Sequence, residues 1–194
     1  GTGAKYHSMI LLTLGTGVGG GIIVGETSIV GEHSAGAECG HIIVDSRDDA
    51  RVCPCGRRGH LEAYASATGL VARAKDALNE TAASSSSLKR RIDMGGELTS
   101  LAIAEEAAAG DAAAEDLVME TARWLGIGIV TLAHTIDPNG VVLGGAMTFG
   151  GNESPLGRRF LERIREEVRR RALGPVAESL EIDFATTGGD AGYL

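Results

Sequence analysis

Apolar positions along this chain follow two periods. Runs of strand length, rich in leucine, isoleucine and valine, occupy residues 9–14, 21–24, 41–45, 141–143 and 180–184. Bounded by glycine or polar residues, such runs predict strands. Between them lie longer stretches with helical character. Residues 61–78 are rich in alanine and leucine, and residues 99–109 open on a capping threonine and close before Gly110-Asp111. Residues 112–136 carry a long apolar face that ends before Asp137-Pro138-Asn139-Gly140. In residues 158–171 the apolar positions Phe160, Ile164 and Val168 recur every four residues, which predicts a helix with one buried stripe. The serine run within residues 81–89 offers nothing to build a core and predicts a flexible surface loop. Strands and helices alternate without an internal repeat, so the expected fold class is mixed α/β.

The first two predicted strands are separated by a glycine-dense turn, Gly15-Thr16-Gly17-Val18-Gly19-Gly20. Glycine tolerates positive φ and presents no Cβ, so such a turn can bring successive backbone N–H groups close to phosphate oxygens. No Gly-Lys-Ser/Thr follows, which excludes a Walker loop. From spacing alone, a tight hairpin whose glycines serve only the turn is an equally good reading.

Composition narrows the function classes. The 194 residues are 43% hydrophobic and 23% charged, ordinary for a soluble globular chain with a sizeable core. A net charge of −8 argues against a nucleic-acid surface, which needs a clustered basic face. The basic run Arg169-Arg170-Arg171 closes the amphipathic stretch at 158–171 and reads as its solvated face. No apolar stretch approaches the roughly 20 residues of a membrane span, and no signal peptide opens the chain, so a cytoplasmic location is expected. Three cysteines cannot all pair within one chain. Cys53 and Cys55 are too close for a useful staple, which suits a reducing compartment and metal or thiol chemistry.

Two blocks carry the rest of the chemistry. The first is Glu38-Cys39-Gly40-His41; the second runs Cys53-Pro54-Cys55-Gly56-Arg57-Arg58-Gly59-His60-Leu61-Glu62. Pro54 and Gly56 can turn the backbone so that the thiolates of Cys53 and Cys55 reach one ion, although a metal-free loop with small buried thiols satisfies the same pattern. With the glycine turn, Leu125-Gly126-Ile127-Gly128-Ile129 and Val141-Val142-Leu143-Gly144-Gly145-Ala146, these blocks resemble the ROK family of sugar kinases and repressors, and within it the bacterial glucokinases.

The resemblance implies the second lobe of an actin-like (ribonuclease H-like) ATPase, a mixed sheet flanked by helices. In that family an N-terminal lobe comes first, with a further phosphate loop and the catalytic aspartate of an Asn-Asp pair. Neither motif is present here, so the chain is expected to be a C-terminal lobe with no catalytic residue of its own. A structural zinc ion is implied on His41, Cys53, Cys55 and His60, where the last stands in place of the family's usual cysteine and makes the set Cys₂His₂. Cys39 reads as core. Glu38, His41 and Glu62 match the family's sugar contacts, with the second ring nitrogen of His41 expected to meet a sugar hydroxyl. Ala37 stands where the family usually has glycine. Gly15, Thr16 and Gly17 would contact ATP phosphates with magnesium, and Gly144 and Gly145 would lie near the adenosine. The partners implied are a hexose, ATP and a second copy of the chain. Three activities stay open: a glucokinase acting on the 6-hydroxyl, a kinase for another hexose or an N-acetyl amino sugar, or the sugar-sensing lobe of a transcriptional repressor.

Overall fold

In β1 (Ser8–Leu14) every second side chain is buried and the intervening ones are half-buried, the alternation of a strand packed hard on one face. A computed structural model describes residues 5–79 and 86–186 of the chain. β1 is central to a five-stranded sheet with β2 (Val18–Val24), β3 (Thr27–Ser28), β4 (Gly140–Gly144) and β5 (Glu181–Phe184), in the order β3-β2-β1-β4-β5. β2 runs antiparallel to β1 and β3, while β4 is parallel to β1 and β5 parallel to β4. That order and those directions are those of the ribonuclease H-like fold expected from the motifs.

Helices cover the sheet. They are α1 (Glu62–Ala65), α2 (Ala67–Leu78), α3 (Ser87–Asp93), α4 (Ser100–Ala108), α5 (Ala112–Ile136), α6 (Pro155–Arg171) and α7 (Gly174–Ser179). Ile10, Leu12, Leu14, Val141 and Leu143 of the sheet share one core with Leu125 and Ile129 of α5 and Phe160 and Ile164 of α6. Gly126 and Gly128 set how closely α5 approaches its neighbours: a Cβ at Gly126 would lie 2.7 Å from Cβ of Glu167, and one at Gly128 2.7 Å from Leu61 Cδ2. The second contact seats Leu61, the residue before Glu62, against the longest helix. Arg169, Arg170 and Arg171 are exposed on α6, as its periodicity requires.

Several predicted elements are revised. Residues 41–45 form no strand. Cys39–His41 make a 3₁₀ turn, and Ile43 forms only an isolated bridge with His60. Backbone donors here go to a folded loop instead of a ladder, with Val44 N–H bonded to Gly59 O at 2.8 Å. The stretch 61–78 breaks at Ser66, whose backbone is extended and whose hydroxyl caps α2 by accepting from Gly69 N–H. Within the predicted loop 81–89, residues 81–85 lie outside the described residues, while Ser86 caps α3. β2 begins at Val18, three residues before the predicted start, and α6 begins at Pro155 behind the cap Ser154. β3 and α7 are too short to leave a periodic signal.

Candidate functional site

Leu14 and Val18 are the last pair of the β1–β2 ladder, which leaves Gly15, Thr16 and Gly17 as the turn. The Gly15 N–H donates to Gly17 O at 3.0 Å, and the first turn of α2 holds the turn from behind: Ala67 N–H donates to Gly15 O at 2.8 Å and the Thr68 hydroxyl to Thr16 O at 2.9 Å. The remaining glycines have another purpose. A Cβ at Gly20 would overlap the Ala37 carbonyl and the Cys39 sulfur, and one at Gly40 would overlap the Val18 carbonyl. The bare backbone of β2 therefore admits the loop that carries Glu38 and His41. Glycine density alone could not separate that packing role from phosphate chemistry. Ala37 keeps a negative φ, so the side chain standing in the family's glycine position is accommodated.

His41, Cys53, Cys55 and His60 come together, with one donor atom of each lying within 4.8 Å of all the others. A tetrahedron around zinc has edges of about 3.3–3.8 Å, given Zn–N near 2.0–2.1 Å and Zn–S near 2.3 Å. No separation among the four donors exceeds that range by more than about 1 Å, and their chemistry suits the ion. The loop is shaped by Cys53 N–H to Arg57 O at 2.7 Å, by Gly56 N–H to Cys53 O at 2.8 Å and by positive φ at Gly56 and Gly59. A side chain at Gly59 would also overlap the Asp45 carbonyl. Burial pushes the Cys53 thiol up to about 11, so a metal must displace its proton. Burial and the nearby His41 lower the pKa of His60, favouring the neutral imidazole that ligates metals.

Asp45 and Tyr64, which sequence reasoning missed, brace this loop. The Tyr64 hydroxyl donates to Asp45 Oδ2 at 2.7 Å and accepts from Arg51 N–H at 2.9 Å, so one side chain ties together the two ends of the segment 45–51 that leads into the loop. The Arg47 guanidinium and the Tyr64 hydroxyl hold the Asp45 carboxyl well below the usual range. Tyr64 also packs on Trp124 of α5, with ring centroids 4.3 Å apart. The buried hydroxyl of Tyr64 gave no periodic signal; only its place two residues after Glu62 could have drawn attention to it.

The expected sugar residues gather beside the metal cluster. His41 Nδ1 lies 3.2 Å from Glu38 Oε2, so two of the three expected sugar residues are in direct contact. Glu62 Oε2 accepts from Val18 N–H at 3.0 Å, and the Cys53 sulfur lies 3.7 Å from Glu62 Oε1. Glu38, His41 and Glu62 line one cleft of about 390 Å³ together with Gly15, Gly17 and Gly145. At Gly145 φ is positive and any Cβ would overlap the Leu14 backbone, so the end of β4 lies directly against the end of β1. Gly144 lines an adjoining cavity of about 590 Å³ that shares Gly145 and reaches Gly151 and Phe184. Thr16 lines neither space. A larger cavity of about 730 Å³ between α2, α3 and the start of α5 contains none of these residues.

No helix among the described residues is long and apolar enough to cross a membrane. The model of the ROK family matches residues 1–194. The chain is 38% identical over 194 residues to a glucokinase of Halalkalibacterium halodurans, covering all of this chain and 56% of that relative. It is 28% identical over 181 residues to a xylose repressor of Caldicellulosiruptor bescii, covering 93% of this chain and 43% of the repressor. A ROK family glucokinase from Streptomyces griseus, solved in complex with glucose and AMPPNP, superposes with a TM-score of 0.80 at 35% identity, over 97% of this chain and 58% of that one. The chain thus spans 43–58% of the length of these relatives. With its ribonuclease H-like sheet, its glycine turn and its clustered Cys and His residues, this chain belongs to the ROK family.

Proposed function

We propose that this chain is the C-terminal lobe of an ATP-dependent glucokinase and supplies the sugar-binding half of its active site. The observation that carries the reading is a single cleft in which Glu38, His41 and Glu62 face the glycine turn and Gly145. Carboxylates suit a polyhydroxylated ring because each can accept two hydroxyl bonds, and bonds to a charged acceptor are the strong ones. The turn at Gly15–Gly17 is read as the phosphate cradle and Gly144–Gly145 as the backbone beside the adenosine, with magnesium bridging the phosphates. His41, Cys53, Cys55 and His60 would hold zinc, which supplies structural cross-linking of the sugar loop. The base that accepts the 6-hydroxyl proton is assigned to a segment outside this chain, and assembly as a homodimer belongs to the same reading.

Glu62→Gln tests the proposal in the full-length protein. The substitution keeps size and removes charge; each charge-assisted bond is worth about 1.5–3 kcal/mol, so kcat/KM for glucose should fall roughly tenfold to hundredfold with the KM of ATP little changed. Unaltered glucose kinetics would reduce Glu62 to a surface carboxylate of α1. Similarity to a xylose repressor supports a second reading, a lobe that senses sugar without transferring phosphate. Sugar-dependent operator binding without hexose phosphorylation would establish it, and phosphorylation of a different hexose would correct the substrate.

A further inference from the structure

We infer that Gly17 is a positioning residue for the sugar carboxylate Glu62, so that the last glycine of the turn serves the sugar side of the cleft. The inference rests on the kinase reading for the identity of the sugar, but its geometry is independent of it. A Cβ at Gly17 would overlap Glu62 Oε2 and lie 3.1 Å from Cδ of the same side chain; the three atoms nearest that point all belong to Glu62. The next N–H in the chain, that of Val18, donates to the same Oε2 at 3.0 Å. The carboxylate thus sits against the Gly17 backbone with Oε2 foremost and is held there by the residue that follows. Its other oxygen, Oε1, faces the Cys53 sulfur at 3.7 Å.

The absence of a side chain at Gly17 does not serve an unusual backbone. φ at Gly17 is not positive, so alanine could adopt the same conformation. Gly15 differs, because a Cβ there would meet nothing within 4 Å and would project into open space. The two glycines of the Gly-x-Gly motif therefore have different reasons to be glycine. One leaves room in the cleft, and the other seats Glu62. What a methyl at Gly17 would strike is the mobile end of a side chain, so the variant should fold and respond by moving the carboxylate.

Gly17→Ala in the full-length protein tests this against Glu62→Ala and the double variant. Misplacing a binding group by about 1 Å can cost up to a hundredfold, so Gly17→Ala should raise the glucose KM about tenfold or more while the ATP KM changes less than about threefold. In the Glu62→Ala background the same alanine should add almost nothing, because its effect acts through the carboxylate. A raised ATP KM with an unchanged glucose KM would overturn the inference and leave Gly17 with its place in the phosphate cradle alone. An undiminished effect in the Glu62→Ala background would overturn it too. If the wild-type protein phosphorylates no hexose, the kinase reading fails separately, and the crystal structure of Gly17→Ala decides the positioning role. A Glu62 carboxylate displaced from Val18 N–H supports it; one still bonded at about 3 Å overturns it.

Discussion

The helical layer and the metal loop are ordered by opposite means. α5 buries twelve residues along 25 positions, and its hold on the sheet comes from repeated apolar contacts, each of modest worth. The segment from Ala37 to Glu62 has little regular structure. It is ordered by glycines that admit other backbones, by the Tyr64–Asp45–Arg51 braces and by four donors aimed at one point. A distributed interface tolerates small losses gradually, whereas a loop fixed by a few specific links loses its shape when one is cut. The residues proposed to bind sugar sit on the second kind of structure, so their placement depends on the links.

Substitutions should separate the two regions. The largest loss of global stability is expected from Ile129→Ala on α5, where a fully buried side chain leaves a cavity costing about 2–5 kcal/mol. Denaturant unfolding should register it while metal content stays unchanged. Next is Asp111, the cap of α5. Burial opposes its charge, but bonds from Ala114 N–H, Ser86, Leu88 N–H and Ser87 outweigh that and hold its carboxyl at about 2. The folded value lies below the ordinary one near 3.9. The contribution, on the order of 2 kcal/mol, is thus fully present above about pH 4 and lost as pH falls through about 2. Asp111→Asn should flatten stability across that window without altering metal binding.

In the metal loop the expected order of readouts is reversed. Wild-type protein is expected to carry close to one zinc per chain; His60→Ala should lose it and lower the melting temperature by several degrees. His60→Cys should retain both, since it restores the Cys₃His set. Equal effects from the two would remove His60 from the ligand set. Smallest is Tyr64→Phe, which cuts the brace to Asp45 and leaves the ligands in place. A supporting residue of this kind is worth about 10–100-fold in metal affinity. A competition titration with a chelator would measure it, and the stacked Trp124, the chain's single tryptophan, gives a fluorescence signal for the same contact.

How much of this was legible in the sequence follows the same division. Residues 112–136 gave a helix with the observed bounds, because apolar periodicity and the Asp137-Pro138 stop agree; the structure adds Asp111 as its cap. Glu38, His41 and Glu62, and the candidate metal ligands His41, Cys53, Cys55 and His60, were singled out from their motif blocks, and the fold brings them side by side. The strand expected at 41–45 failed because three apolar residues in a row, Ile42 to Val44, cannot report that backbone donors there go to Cys39 and Gly59. The break at Ser66 was hidden because a capping serine inside an alanine-rich run looks like an ordinary helix residue. Gly17, Gly20 and Gly40 were visible as glycines, but what each approaches depends on segments about 17 to 45 residues away in sequence, such as Glu62 for Gly17.

Glu38 and His41 stand on the loop that carries the candidate metal ligands, and Glu62 follows it directly, so ordering of the loop by zinc should position all three. Glucose affinity of the full-length protein can be measured by calorimetry before and after zinc is removed with a chelator and again after it is restored. Binding should be lost, by tenfold or more, on removal and regained with zinc, in step with metal content. Glucose affinity that is unchanged in metal-free, folded protein would contradict this positioning by the loop.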